Sequence, residues 1–255
     1  MKVGVYVDGL NLYYGGRSLF GRSASRWWWL DLRQLRERLL ARRADWLAQG
    51  ARVQRVVYCT AFIVGSIHPA EHQRQQVHVA ALRANRSFDH LEQGSFTARW
   101  KTGLLATRDR NGRPVVHTSR WPVMVQDSTG KKVRDARFMV SYLRAEEKAT
   151  DVNVASHLLF DVLTSRVDTA IVISNDSDLR FPIRLARQRV PVGVVNSSTN
   201  RLAGDLAGGP GDGVGGHWWY RLEANDFRSC QLAETVGNYR RPHVGNPTAT
   251  SVASG

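Results

Sequence analysis

The chain has 255 residues, 42% of them hydrophobic and 23% charged, enough apolar material to bury the core of a domain of moderate size. These figures exclude a disordered chain, a collagen-like repeat and a small disulfide scaffold, and no apolar run approaches the roughly 18–20 residues that span a bilayer. Against 22 Asp and Glu stand 36 Lys and Arg, a net charge of +14 that attracts polyanions and makes nucleic acid the default partner.

Val3–Val7 is a β-branched run closed by Asp8-Gly9, which predicts a buried strand followed by a turn. It is too short for a signal peptide, so a cytoplasmic protein with two reduced, buried thiols, Cys59 and Cys230, is expected. Asp31 opens a helix with Leu32, Leu35 and Leu39 at helical spacing, Val53–Ala61 predicts a second strand, and Pro69 starts a helix running to Asn85. A third strand is expected near His90–Ala98. Pro114–Gln126 and Lys132–Arg144, separated by the turn signal Asp127-Ser128-Thr129-Gly130, predict an inserted hairpin or small antiparallel excursion at about 113–144. A helix follows over Thr150–Leu163, then the strand Thr169–Ser174, a helix over Leu179–Gln188 with Pro182 in its first turn, and a strand over Pro191–Val195. Residues 204–216 are glycine-rich and predict a mobile loop, and 240–255 a disordered tail. Alternating strands and helices predict an α/β fold with a mainly parallel sheet, one domain over 1–235.

The acids collect where such a fold binds ligands. Asp8 follows the first strand, Glu147 and Asp151 flank the entry to the Thr150 helix, and Asp176 and Asp178 follow the Thr169 strand. If those two strands are neighbours, the acids converge outside the carboxyl ends of the sheet. Oxygen ligands without Cys or His nearby point to Mg²⁺ or Mn²⁺. Singly, each aspartate reads better as a turn former or helix cap, Asp178 most clearly.

Three blocks, Val7-Asp8-Gly9-Leu10-Asn11, Glu147-Lys148-Ala149-Thr150-Asp151 and Ser174-Asn175-Asp176-Ser177-Asp178, resemble the NYN-domain family of the PIN-like nuclease superfamily. The resemblance spans most of residues 1–195, and Trp29-Leu30-Asp31-Leu32 extends it. It implies a PIN-like α/β/α sandwich and a Mg²⁺- or Mn²⁺-dependent endoribonuclease. By motif position it places Asp8, Asp151, Asp176 and Asp178 in the metal site, with Asn11 and Glu147 as accessory residues. Ala149 and Asn175 stand where glycine is common in the family. On this reading a metal lowers the pKa of a bound water and supports the leaving oxygen of an RNA phosphodiester. Arg17, Arg22 and Arg180 are candidates for binding flanking phosphates. Trp27 and Trp28 could stack on unpaired bases or pack in the core. His68 and His72 have the spacing of a helical metal pair, but Pro69 intervenes. The alternative is a non-catalytic RNA-binding or regulatory module, which would gain nothing from four aspartates repelling phosphate.

Overall fold

The computed structural model describes residues 1–21, 27–116, 126–133 and 138–242, without the side chain of Asp205. In chain order the elements are β1 (Lys2–Asp8), α1 (Gly9–Phe20), α2 (Leu32–Ala41), α3 (Ala44–Ala48), β2 (Arg52–Thr60), α4 (Pro69–Ala84) and β3 (His90–Gln93). They continue as β4 (Ser95–Leu104), β5 (Ala106–Arg108), β6 (Pro114–Val116), β7 (Met139–Lys148), α5 (Thr150–Leu163) and β8 (Thr169–Ile173). A 3₁₀ turn (Ser177–Leu179), α6 (Arg180–Arg187), β9 (Val192–Asn196), α7 (Gly204–Ala207), β10 (Trp218–Arg221), α8 (Ala224–Ser229), β11 (Thr235–Val236) and β12 (Tyr239–Arg240) complete the order.

Residues Met1–Phe96 and Glu147–Gly255 form one compact unit, and Thr97–Glu146 form another. The first is built on a parallel sheet of six strands in the order β10-β9-β8-β1-β2-β3. Its inner strands are buried on both faces, which is why β1, β8 and β9 read as unbroken apolar runs rather than alternating ones. Pleating sends Val3, Val5, Val7, Val56 and Tyr58 into one core with α1, α2 and α4. Tyr6, Val57, Cys59 and Val172 go to the other face, against Val154 and Leu158 of α5 and Ile183 of α6.

The helix starts follow from local chemistry. Asp31, buried at the head of α2, accepts from Arg33 N at 2.9 Å and from Ser87 Oγ at 2.7 Å, so one carboxylate caps the helix and ties it to the loop after α4. Pro69 occupies the first turn of α4, where its missing N–H costs nothing. Both thiols are buried and free.

The second unit, where a hairpin or small antiparallel excursion was expected, carries two ladders. β4 pairs with β7, and β5 pairs antiparallel with β6 as a smaller ladder. The expected turn is present: Gln126 and Lys132 bridge across it, and Asp127 Oδ1 accepts from Thr129 N and Lys131 N. Residues 117–125 and 134–137 lie outside the described residues, as does most of the expected tail, 243–255.

Residues 204–216, expected as a mobile loop, carry α7 and are anchored. Leu206 is fully buried, and Arg187 donates to the carbonyls of Leu206 at 2.7 Å and Ala207 at 2.9 Å. An arginine on α6 supplied this anchor, and glycine content alone could not reveal it. Among the described residues no helix is long and apolar enough to cross a membrane.

Candidate functional site

β1 pairs parallel with β8, Val7 opposite Ile173. The strand order reverses at this pair, the position where an open α/β sheet forms a crevice beyond its carboxyl ends. Asp8 ends β1 there, and Ser174-Asn175-Asp176 leaves β8 beside it.

Asp8 is buried and accepts from Asn11 N at 2.9 Å, which caps α1, and from Ser174 Oγ at 3.0 Å. Desolvation dominates its titration and lifts its pKa to about 6, with the charges of Asp176 and Glu147 adding to the rise and the two hydrogen bonds opposing it. Asn11 ties the segments after β8 and β9 together: its Oδ1 accepts from Asn175 N at 3.0 Å and Ser197 Oγ at 2.9 Å. Glu147, near the end of β7, accepts from Thr150 N, the first residue of α5, at 2.8 Å. Asp176 accepts from Asp178 N at 3.0 Å, capping the 3₁₀ turn. Thus Asp8, Asp176 and Glu147 share one electrostatic neighbourhood, and each lies at or near the end of an element. Asp151 is half-buried in the first turn of α5, and Asp178 is exposed.

The two positions where glycine was expected behave differently. Ala149 adopts φ 79°, the left-handed conformation that suits glycine. Asn175 works through its amide instead, donating to Ser198 Oγ at 3.0 Å and accepting from Ala203 N at 2.9 Å.

On the other face of the sheet, beside α1, lies a cavity of about 220 Å³. Tyr13, Trp27, Trp28, Tyr58 and Phe227 supply its aromatic walls. Arg17, Arg74, Glu71, Gln75 and His78 supply its polar groups, and Gly9, next to Asp8, reaches its edge. Both guanidiniums act on the Tyr13 phenol, whose pKa burial raises against their pull. Gln75 is fixed by Ile63 N and the Ala61 carbonyl, each at 2.9 Å. His78 is held at 2.9 Å from the Leu30 carbonyl, and burial lowers its pKa to about 4, so it stays neutral at pH 7.

The residues proposed for RNA contact are therefore dispersed. Trp27 is buried against Tyr13, Phe20 and Phe227, so it is a core and cavity residue and not an open stacking platform. Trp28 is half-buried, edge-on to Trp29 and His78. Arg17 faces the cavity, Arg180 is exposed at the start of α6, and Arg22 lies outside the described residues. His72 is spent on the Ile63 carbonyl at 2.6 Å.

A second cluster was not anticipated. His90, Glu92 and His157 bring one ligand atom each within 4.8 Å of one another, the group of three such donors found among the described residues. His90-Leu91-Glu92 held the signal, because residues two apart on a strand share a face. The tyrosines, Arg74 and His78 of the cavity gave no comparable signal, since only tertiary packing joins them.

No family model matches the chain. The 6-hydroxy-3-succinoylpyridine 3-monooxygenase HspA of Pseudomonas putida (strain DSM 28022 / S16) is 26% identical over 266 residues, covering 96% of this chain and 74% of that protein. A solved structure of a protein of unknown function from Vibrio parahaemolyticus RIMD 2210633 aligns over 88% of this chain and 94% of its own, at 15% identity and a TM-score of 0.41. The monooxygenase overturns the expectation of a ribonuclease, an RNA hydrolase: this relative spans nearly the whole chain and carries an oxidoreductase name. The physical reason for the error is that acids at a strand-order reversal mark where a ligand binds and not which reaction follows. For the alternative, a non-catalytic RNA-binding module that keeps the fold and the acids, the candidate stacking residues give no open platform, Trp27 being buried and Trp28 half-buried.

Proposed function

We propose that the protein is an oxidoreductase of the monooxygenase class whose substrate is a small aromatic acid held in the Trp27–Trp28 cavity. The observation that carries this reading is the cavity's composition: aromatic walls for a planar ring, with Arg17 and Arg74 for an anionic tail. The relative's substrate, by its name, joins a hydroxypyridine ring to a succinoyl chain ending in a carboxylate. Such a molecule needs those two kinds of partner.

The roles follow from the geometry. The aromatic side chains exclude water and sandwich the ring. The guanidiniums orient the tail, and Arg74, already 3.7 Å from Glu71, exchanges that weak contact for the substrate carboxylate. Neutral His78, held by the Leu30 carbonyl, and Gln75, held by Ile63 N and the Ala61 carbonyl, give the cavity a fixed polar wall without adding charge. A monooxygenase consumes O₂ and two electrons, placing one oxygen in the product and reducing the other to water, so an external reductant is required.

The sheet with helices on both faces is proposed to be the PIN-like sandwich of the NYN family, supported by the meeting of the Asp8 and Asp176 blocks at the β1–β8 reversal. A shared fold carries no obligation to a shared reaction. Mg²⁺ or Mn²⁺ beside Asp8, Asp176 and Glu147 is likewise a proposal from that resemblance. Asp8 and Asp176 serve as caps, Glu147 accepts from Thr150 N, and the three do not form a three-donor group, so no step above passes through such an ion.

The test is binding and turnover with 6-hydroxy-3-succinoylpyridine. Tryptophan fluorescence should change saturably on addition, and with O₂ and reduced nicotinamide a ring-hydroxylated product should form with matching O₂ uptake. Saturable binding that vanishes in Arg74→Gln but supports no oxygen consumption would remove the oxidoreductase assignment and leave only the aromatic-acid site. No binding would remove both.

A further inference from the structure

The cluster His90–Glu92–His157 stands on the face of the sheet opposite the cavity and has no part in the reading above. His90 and Glu92 project from the same face of edge strand β3, and His157 descends from α5, which packs over that strand. Both imidazoles aim Nε2 at one oxygen, Glu92 Oε2, at 3.0 Å from His90 and 3.1 Å from His157. The rings lie with centroids 4.8 Å apart and planes at 56°. The side chains are 43%, 38% and 20% exposed, so an ion reaches them from solvent and keeps water on its remaining positions.

We infer that these three residues form a site for a first-row transition metal ion. Two neutral imidazoles and one carboxylate are a donor set for Zn²⁺, Fe²⁺ or Co²⁺ rather than for Mg²⁺ or Ca²⁺, which prefer oxygen alone. The distances agree with this choice. Ligands about 2.1 Å from a metal lie about 3.0 Å apart when they subtend a right angle and about 3.4 Å apart in a tetrahedron. The two nitrogen-to-oxygen separations already fall at the first value and all three donors lie within 4.8 Å of one another, so the ion replaces two hydrogen-bonding protons as the imidazoles close on it. Three protein donors leave positions open for water or an added ligand, the pattern of a reactive site rather than a closed structural one.

The surroundings set a limit on affinity. Arg55 Nη2 lies 3.4 Å from His157 Nδ1, and Arg55 Nη1 lies 3.4 Å from the buried Asp161. A metal on Nε2 leaves the ring proton on Nδ1, facing a cation where ligating histidines usually meet a carboxylate or carbonyl. Arg55 must therefore swing toward Asp161 as the ion enters, and its charge weakens the site.

The experiment titrates the metal-free protein with Co²⁺, followed by its visible ligand-field absorption, and with Zn²⁺ by calorimetry. The expected result is one ion per chain, with Zn²⁺ displacing Co²⁺ and excess Mg²⁺ displacing neither. Since loss of an outer-shell partner costs about 10–100-fold, loss of a direct ligand in His90→Ala or Glu92→Gln should lower affinity by at least about a hundredfold. Both side chains are substantially exposed, so these variants fold, and circular dichroism checks it. Asp8→Asn should keep the affinity within about tenfold, which separates this site from the acidic crevice. Equal affinity in wild type and the His90→Ala/His157→Ala double variant would overturn the inference, as would an absorption spectrum identical to that of aqueous Co²⁺. Loss of binding in Asp8→Asn would also overturn it.

Discussion

Asp8→Asn should raise the stability of the metal-free protein at pH 7.5 and expose an acid sensitivity that the wild type conceals. Asp8 titrates near 6 in the folded state and near 3.9 unfolded, so between those values the native state binds more protons. Stability from this group therefore falls as pH rises, by about 3 kcal/mol in all at about 1.4 kcal/mol per pH unit. His78 has the opposite sign. Its folded pKa is about 4 against about 6.5 unfolded. The unfolded chain binds more protons there, and up to about 3 kcal/mol is lost as pH falls through that window. In the wild type the two slopes nearly cancel between pH 6.5 and 4. Asparagine at position 8 removes only the first. It keeps an acceptor for Asn11 N–H, and Ser174 Oγ must turn to accept from the new amide, so the gain at pH 7.5 shrinks to about 1–2 kcal/mol. That amounts to about 2–8 °C in Tm for a domain of this size. Urea unfolding in EDTA, followed by tryptophan fluorescence at several pH values, reads both effects. A stability difference between variant and wild type that stays constant from pH 7.5 to 4 would refute the reasoning, as would a variant weaker at pH 7.5.

Other expectations concern backbone and cavity. Ala149→Gly should stabilise the protein by up to about 1 kcal/mol, because relief of a left-handed alanine, about 1–2 kcal/mol, exceeds the entropy cost of glycine; a lower urea midpoint would contradict it. Gly15→Ala should cost at least about 2 kcal/mol, since its Cβ would meet the Ser197 backbone carbonyl and neither side can yield cheaply; thermal unfolding measures it. Arg74→Gln should weaken binding of an aromatic carboxylate about tenfold or more while leaving a neutral amide analogue unaffected; equal losses for both ligands would show that the guanidinium is not the carboxylate's partner.

The sheet was legible because its strands declare themselves locally. Val3–Val7 and Thr169–Ile173 have no polar interruption, which is the signature of strands covered on both faces. Their adjacency was only conditional in the sequence, and the β1–β8 register supplies it. Asp8, Asn11, Asp176 and Glu147 lie near one another because each sits at a strand end or helix start, while Asp151 is half-buried in the first turn of α5 and Asp178 is exposed. Side-chain roles were less legible. Burial of Trp27 depends on Phe227, two hundred residues away, and no local pattern encodes that pairing. In the second unit, short ladders such as β5–β6 rest on three residue pairs, too few for periodicity to reveal.

The acidic crevice and the His90–Glu92–His157 cluster are neighbours across the sheet, and this gives a test of both. Asp8 pairs with Cys59, and Cys59 pairs with Glu92, in adjacent parallel strands. All three lie in one row on the face covered by α5, and two strand spacings put the ends of the row about 10 Å apart. The Cys59 thiol between them registers both charges: burial first, then Asp8 and Glu92, pushes its pKa up to about 12, so it stays protonated and insulates rather than conducts. At about 10 Å a divalent ion and a carboxylate interact by about 3 kcal/mol at an effective dielectric of 20, and by about 1 kcal/mol or less where water penetrates. The cluster's exposure selects the lower figure. Zn²⁺ on His90, Glu92 and His157 should therefore lower the Asp8 pKa by less than about one unit, and by reciprocity ionised Asp8 should tighten Zn²⁺ by less than about tenfold. Calorimetric Zn²⁺ titrations of wild type and Asp8→Asn at pH 5 and pH 7.5 measure the coupling. The gap between the two proteins should be present at pH 7.5 and close at pH 5, where Asp8 is mostly neutral. A gap that is equal at both pH values would mean that the substitution acts through structure and that the two sites do not share charge across the row.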